Sequence, residues 1–230
     1  MVDESGTDGL LGPDGYKVLS QWTNPAQAKA RATELVVAHR SELREVVANP
    51  HLTQEWAQTL VRSARLVAAV QELIGPDVAV ENTFLVIKWP GQSFEVPWHQ
   101  DGINDRLDLD PDRSVAAWVA LTDAESDAGC LHVLPGSQRA GYLPYKAEAA
   151  TGAARGRALG VRMGLDVRGV PVPVRAGSGL LMDTRLVHCS HSNNWVGARV
   201  GLNVRFVAPG AVSMRDGSSP SLAPITGTGW

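Results

Sequence analysis

The sequence predicts a mainly β fold with packed helices: a double-stranded β-helix (jelly roll, cupin-like) behind two N-terminal helices. Two observations carry this expectation. From Trp56 to Leu73, apolar residues recur at three- and four-residue steps, the period of a helix, and an earlier helix start stands at Thr23-Asn24-Pro25. From Val78 onward, short segments rich in Val, Leu and Trp are punctuated by Gly, Pro, Asp and Ser, the mark of antiparallel strands. Helices followed by many short strands place the helices on one face of a sandwich or barrel. The strand number suits a two-sheet jelly roll. A length of 230 residues suits one domain, 1–230, that can bury a core without staples.

The elements follow in order. Residues 1–13 are polar and Gly-rich and are expected to be flexible. Residues 15–19 read as a short strand. Thr23-Asn24-Pro25 is a helix start, a capping side chain before a proline at the first helical position. That helix is expected to reach about Val47, with a break near Ser41, and Asn49-Pro50 ends it. A second helix follows Thr53, whose hydroxyl can cap it. Trp56, Leu60, Ala64, Val67, Val70 and Leu73 form its apolar stripe, and Gly75-Pro76 stops it. Strands are expected at 78–88, 114–121, 131–134, 179–182 and 199–207. Residues 139–175 read as a long, lid-like insertion, basic through Arg139, Lys146, Arg155, Arg157, Arg162, Arg168 and Arg175. The tail, 210–230, is rich in Ser, Gly and Pro and is expected to lack regular structure.

Composition excludes several classes. A net charge of −3 offers no electrostatic footprint for nucleic acid. Two cysteines, Cys130 and Cys189, exclude a disulfide framework and favour a reducing, cytoplasmic home. The acidic N-terminus lacks the basic and apolar regions of a secretory signal. No apolar run approaches the roughly 20 residues of a membrane span.

The chemistry concentrates in Pro97-Trp98-His99-Gln100-Asp101. In an extended segment alternate side chains share a face, so His99 and Asp101 can reach one metal. A further histidine would complete a two-His, one-carboxylate face with open positions, an arrangement suited to Fe(II) oxygen chemistry. Taken alone, a His-x-Asp tripeptide reads more readily as a surface turn than as a metal site. The second half lies in 183–194, where the apolar run Leu180-Leu181-Met182 leads to His188, with His191 as its rival. Arg199 opens the last long strand, and a guanidinium fork is the natural partner of a carboxylate. Ser190 shares a face with His188 by strand parity.

These stretches together, Lys88, PWHQDG (97–102), WVALTDAESDAGCLHVLPGSQ (118–138) and HCSHSNN with Arg199, resemble the phytanoyl-CoA dioxygenase (PhyH) family of Fe(II)/2-oxoglutarate oxygenases. The resemblance runs from about Gly15 to Val207. It implies His99, Asp101 and His188 as catalytic iron ligands, with 2-oxoglutarate and O₂ as co-substrates. It implies Arg199 and Ser190 at the distal carboxylate of 2-oxoglutarate, and Lys88 and Gln100 as further co-substrate contacts. Trp118 matches a tryptophan near the family's pocket. The family spacing to Arg199 favours His188 over His191. Because Asp101 keeps its carboxylate, hydroxylation is expected in place of halogenation; desaturation, epimerisation and cyclisation share the same oxidant. The implied role is tailoring of a small molecule, in secondary or amino-acid metabolism.

Other residues carry weaker expectations. Trp98, Trp195 and His191 flank the motifs as candidate pocket walls. The basic 139–175 stretch is a candidate holder of an anionic or carrier-bound substrate. His132 reads as packed, and His39 and His51 as solvated. Arg205 reads as one half of a structural ion pair, and both cysteines as core. Two other classes stay open: a cupin-like metal-dependent isomerase without 2-oxoglutarate, which would not need Arg199, and a non-catalytic binding module.

Overall fold

The computed structural model describes residues 9–149, 152, 159–164 and 166–230. Strand β1 (Tyr16–Leu19) leads into helix α1 (Pro25–His39), which Asn24 caps by accepting from the backbone N–H groups of Ala26 and Gln27 at 2.9 and 3.3 Å. The helix stops eight residues before Val47. Residues 46–48 are instead a strand, β2 (Val46–Ala48), paired with Val86–Phe84. Its Val-Val pair continues the apolar rhythm of α1, and the neighbouring strand captures it. The expected second helix is two, α2 (Glu55–Val61) and α3 (Ala64–Ile74). They separate at Ser63, whose hydroxyl donates to the Trp22 carbonyl at 2.6 Å. Thr53 does not cap α2; Gln54 precedes it without a side-chain bond.

The remaining strands are β3 (Val78–Lys88), β4 (Val96–His99), β5 (Leu107–Leu109), β6 (Ser114–Ala120), β7 (Leu131–Val133), β8 (Tyr145–Ala147), β9 (Leu159–Val161), β10 (Val170–Val172), β11 (Gly179–Met182), β12 (His188–Ser190), β13 (Arg199–Val207), β14 (Val212–Met214) and β15 (Ala223–Thr226). They form a jelly roll. The large sheet runs β1-β11-β6-β13-β3-β15, with β2 also on β3; the small sheet runs β10-β7-β12-β4. All pairings within these two sheets are antiparallel.

Strand alternation sorts the side chains. Val80, Leu85 and Ile87 of β3 join Val200, Leu202 and Val204 of β13 beneath the helices, against Leu35, Leu60, Leu66 and Val70. The opposite faces of β6 and β11 send Ala116, Trp118, Leu180 and Met182 inward to meet Leu131 and Val133 of the small sheet. The tail departs from expectation, since β14 pairs with β5 and β15 with the start of β3. Ala223 and Ile225 pack against the helix-side core, which is what orders a polar segment. Residues 170–175 are likewise part of the framework: β10 belongs to the small sheet, and Val174 bridges Ala124. The excursion is shorter than 139–175 and carries the hairpin β8–β9. Residues 1–8 lie outside the described residues. Residues Gly12 and Pro13 are held by Gln138, whose Nε2 donates to both carbonyls. Among the described residues, no helix is long and apolar enough to cross a membrane.

Candidate metal centre and co-substrate pocket

β4 and β12 are neighbours, and His99 and His188 stand directly opposite each other. The register slips by one residue between this pair and Ser190↔Val96, a bulge on β4 at Pro97-Trp98. Bulges re-aim side chains beside functional sites. Here the result brings the two imidazole rings to 4.1 Å between centroids. Asp101, just past the end of β4, completes the group. Its Oδ1 lies 3.7 Å from His99 Nε2, and its Oδ2 lies 3.7 Å from His188 Nε2. Each separation is below two metal–ligand bonds end to end, about 4 Å.

Both imidazoles are oriented for coordination. His99 Nδ1 is 2.8 Å from the Pro97 carbonyl and His188 Nδ1 is 3.0 Å from the Leu186 carbonyl. A carbonyl only accepts, so each Nδ1 carries the proton and each Nε2 presents a lone pair. Burial, reinforced by the adjacent His188, pushes His99 down to about 4, so it stays neutral at physiological pH. Asp101 Oδ2 is buried and has no hydrogen-bond partner among the described residues. An unpaired buried carboxylate oxygen is costly, and a cation between the three residues would satisfy it. Two imidazoles and one carboxylate fit iron(II) with open positions.

The triad lines a cavity of about 340 Å³ between the two sheets. Arg199, Ser190, Trp118, Gln100, Leu131, Asn203 and Arg205 share it. Arg199 is fully buried, and its Nε and Nη2 donate to the Gly129 carbonyl at 3.1 and 2.6 Å. Its guanidinium lies 5.0 Å from the centre of the Trp118 ring. Among the described residues no carboxylate pairs with it. Burial lowers it to about 10, which still leaves a full positive charge at neutral pH. Such a cation calls for an anionic guest. Gly201 makes room for this arrangement, since a Cβ there would sit 2.5 Å from Trp118 Cζ2.

Several expected pocket residues lie elsewhere. Lys88 does not line the cavity. Its ammonium donates to the Phe94 and Ser190 carbonyls at 2.8 and 3.1 Å, and burial, with Arg199 beside it, holds it well below the ordinary lysine value. Gln100 borders the cavity, yet its amide bonds Gly141, Arg185 and Leu143 main-chain groups, tying the approach to the hairpin. Trp98 alternates with His99 and packs on the outer side with Ile103, Val161 and Val187. His191 points outward too, edge-on to His132 at 4.6 Å and 3.9 Å from Glu95. Trp195 is exposed. In each case strand parity or loop position turns the side chain away, which proximity in sequence does not reveal.

The basic residues of 139–175 that are described also lie off the cavity; Glu148 and Leu159 are its contribution. Arg155 and Arg157 lie outside the described residues. Val46, Phe84 and Val86 give the cavity an apolar stretch of wall. Sequence reading passed over Asn203, which follows Arg199 by four and therefore shares its face. Arg205 is paired with Glu81 at 2.6 Å, as expected. Cys189 is buried behind the site and its thiol is pushed up to about 12 by that burial, so it is inert. His51, expected in solvent, is buried against Thr83.

A jelly roll with two histidines and an aspartate converging between its sheets defines a class, the non-haem metal oxygenases of the double-stranded β-helix. The chain matches the family model "Phytanoyl-CoA dioxygenase (PhyH)" over residues 8–199, and it belongs to that family of Fe/2-oxoglutarate oxygenases. Phytanoyl-CoA dioxygenase domain-containing protein 1 of Rattus norvegicus is 31% identical over 159 residues, covering 68% of this chain and 49% of that protein. The chain spans about half the length of the curated relatives it matches. Among solved structures, the non-heme monooxygenase ThoJ superposes with a TM-score of 0.79 at 24% identity, over 94% of this chain and 82% of that one. The alpha-ketoglutarate-dependent carbocyclase SnoK from nogalamycin biosynthesis gives 0.72 at 20% identity, over 93% of each chain. These two likenesses show the fold.

Proposed function

We propose that the protein is an Fe(II)- and 2-oxoglutarate-dependent dioxygenase that hydroxylates a C–H bond of a small molecule, with His99, Asp101 and His188 as the iron ligands. The observation that carries this reading is the convergence of three ligand atoms, one of them the unpartnered Asp101 Oδ2, on the wall of one cavity. Iron(II) held there would supply O₂ activation coupled to decarboxylation of 2-oxoglutarate to succinate.

The chain's own residues bind, orient and exclude water. Arg199 is the clamp for the distal carboxylate of 2-oxoglutarate, with the Ser190 hydroxyl a second donor and Trp118 the apolar wall beneath. Phe84, Val86 and Val46 form the wall on the substrate's side, so the substrate is taken to be a compact molecule with a substantial apolar surface. The hairpin β8–β9 reaches the cavity rim through Leu159 and serves as its lid. The same fold in a carbocyclase from nogalamycin biosynthesis supports a tailoring role for this chain as well.

The test is an anaerobic titration with Fe(II) and 2-oxoglutarate, following the visible charge-transfer band of the chelate. The band is expected in wild type and in His191→Ala, and is expected to be absent from His188→Ala. Arg199→Ala should need far more 2-oxoglutarate to reach it, because a buried carboxylate loses its charged partner. No band in folded wild-type protein would sink the reading in favour of another metal or a binding module. A band that depends on His191 but not His188 would reassign the third ligand.

A further inference from the structure

The inward face of β13 carries, besides Arg199, two residues that hold Asp101. Asn203 Nδ2 donates to Asp101 Oδ1 at 2.9 Å. Arg205 donates from Nη1 to the main-chain carbonyl of Asp101, while its Nε and Nη2 lie 2.6 Å from Glu81 Oε2. Glu81 is itself placed by a bulge: Arg205 opposes Asn82 and Phe206 opposes Val80, which leaves Glu81 as the extra residue of β3.

Asp101 needs such support. It lies in a turn beyond the end of β4, so no strand pairing fixes its backbone or the rotation of its carboxylate. Asn203 also leaves its own Oδ1 buried, with no partner among the described residues. A leucine would fill similar space with no unpaired acceptor, so packing does not account for an amide here. The bond to Asp101 does.

We infer that Asn203 is a positioning residue for the metal carboxylate: by engaging Oδ1 it fixes the rotation of Asp101 and leaves Oδ2 free beside His188 Nε2, while Arg205 anchors the backbone beneath. The inference rests on the reading of the triad as a metal site. Groups that orient metal ligands change metal affinity by about 10–100-fold when removed.

The experiment measures Fe(II) affinity of metal-free protein anaerobically by competition with a chromophoric chelator, together with the melting temperature. The proteins are wild type, Asn203→Leu, Asn203→Ala, Asp101→Ala and the Asp101→Ala/Asn203→Leu double variant. Asn203→Leu is expected to bind Fe(II) about 10–100-fold more weakly than wild type and to melt at or above the wild-type temperature. In the Asp101→Ala background the same substitution should cost nothing further. If the leucine variant fails to fold, Asn203→Ala takes its place with the same expected loss. Wild-type affinity in the folded variants, or an equal loss without Asp101, overturns the inference. Absence of Fe(II) binding by folded wild-type protein would instead sink the proposed metal site itself.

Discussion

Gly201 shows how single residues shape the pocket. It faces inward on β13 between Arg199 and Asn203, and the Trp118 indole occupies the space that any side chain there would take. Trp118 in turn lies against the Arg199 guanidinium. Gly201→Ala therefore has to displace either an indole or a strand. We expect it to cost about 1–3 kcal/mol of stability, as overpacking of a core does, and to weaken 2-oxoglutarate binding by moving Trp118 against Arg199. Thermal unfolding and co-substrate titration check this; unchanged affinity in a folded variant would show that the indole can shift without disturbing the clamp. Lys88 makes the contrasting point. It stands opposite Arg199 in the sheet, yet two main-chain carbonyls take up its ammonium. Its neighbours in sequence do not distinguish a ligand contact from a structural brace.

The elements decide which side of the sheet each residue serves. The 3₁₀ turn Pro50–Leu52 lies against β3 through His51, whose Nδ1 is 2.8 Å from the Thr83 hydroxyl with both residues buried. Thr83→Val keeps the shape and removes the partner, so it should cost about 1–3 kcal/mol, measured by denaturant unfolding. The same histidine makes stability depend on pH. Burial first, and Arg62 second, lower it from the ordinary 6.5 in the folded protein. The unfolded chain then binds more protons, and stability rises with pH through that window. The contribution of His51 is complete above pH 6.5 and declines as pH falls toward its folded value. His51→Gln, which does not titrate, should flatten this part of the profile; an unchanged slope would assign the pH dependence to other groups.

At the scale of the whole molecule, the tail closes the large sheet. β15 pairs with Val78–Val80 at the start of β3, and Ala223 and Ile225 cover the helix-side core. Truncation after Pro220 should remove about 2–4 kcal/mol of burial and lower the melting temperature by roughly 5–10 °C, while Fe(II) binding persists because the triad lies on β4, the turn after it and β12. An unchanged melting temperature would mean that this strand adds nothing to the sheet in solution.

The sequence by itself determined the local and periodic features. The Asn24-Pro25 cap, the bounds of β3, β11 and β13, and the shared face of His99 and Asp101 depend on short-range chemistry or on parity within one strand, whereas the choice of His188 and Arg199 as their partners came from the family resemblance. Tertiary structure alone decided the rest. Val46-Val47 became a strand because β3 offers an unpaired edge there, and the Ser- and Gly-rich tail became ordered because the same sheet accepts it. Asn203 and Arg205 became supports of Asp101 only when two strands far apart in the chain met across the barrel. Trp98 and His191 turned outward because pairing fixes which face looks inward. Edge pairing, register and facing are relations between segments, and a single segment's composition does not contain them.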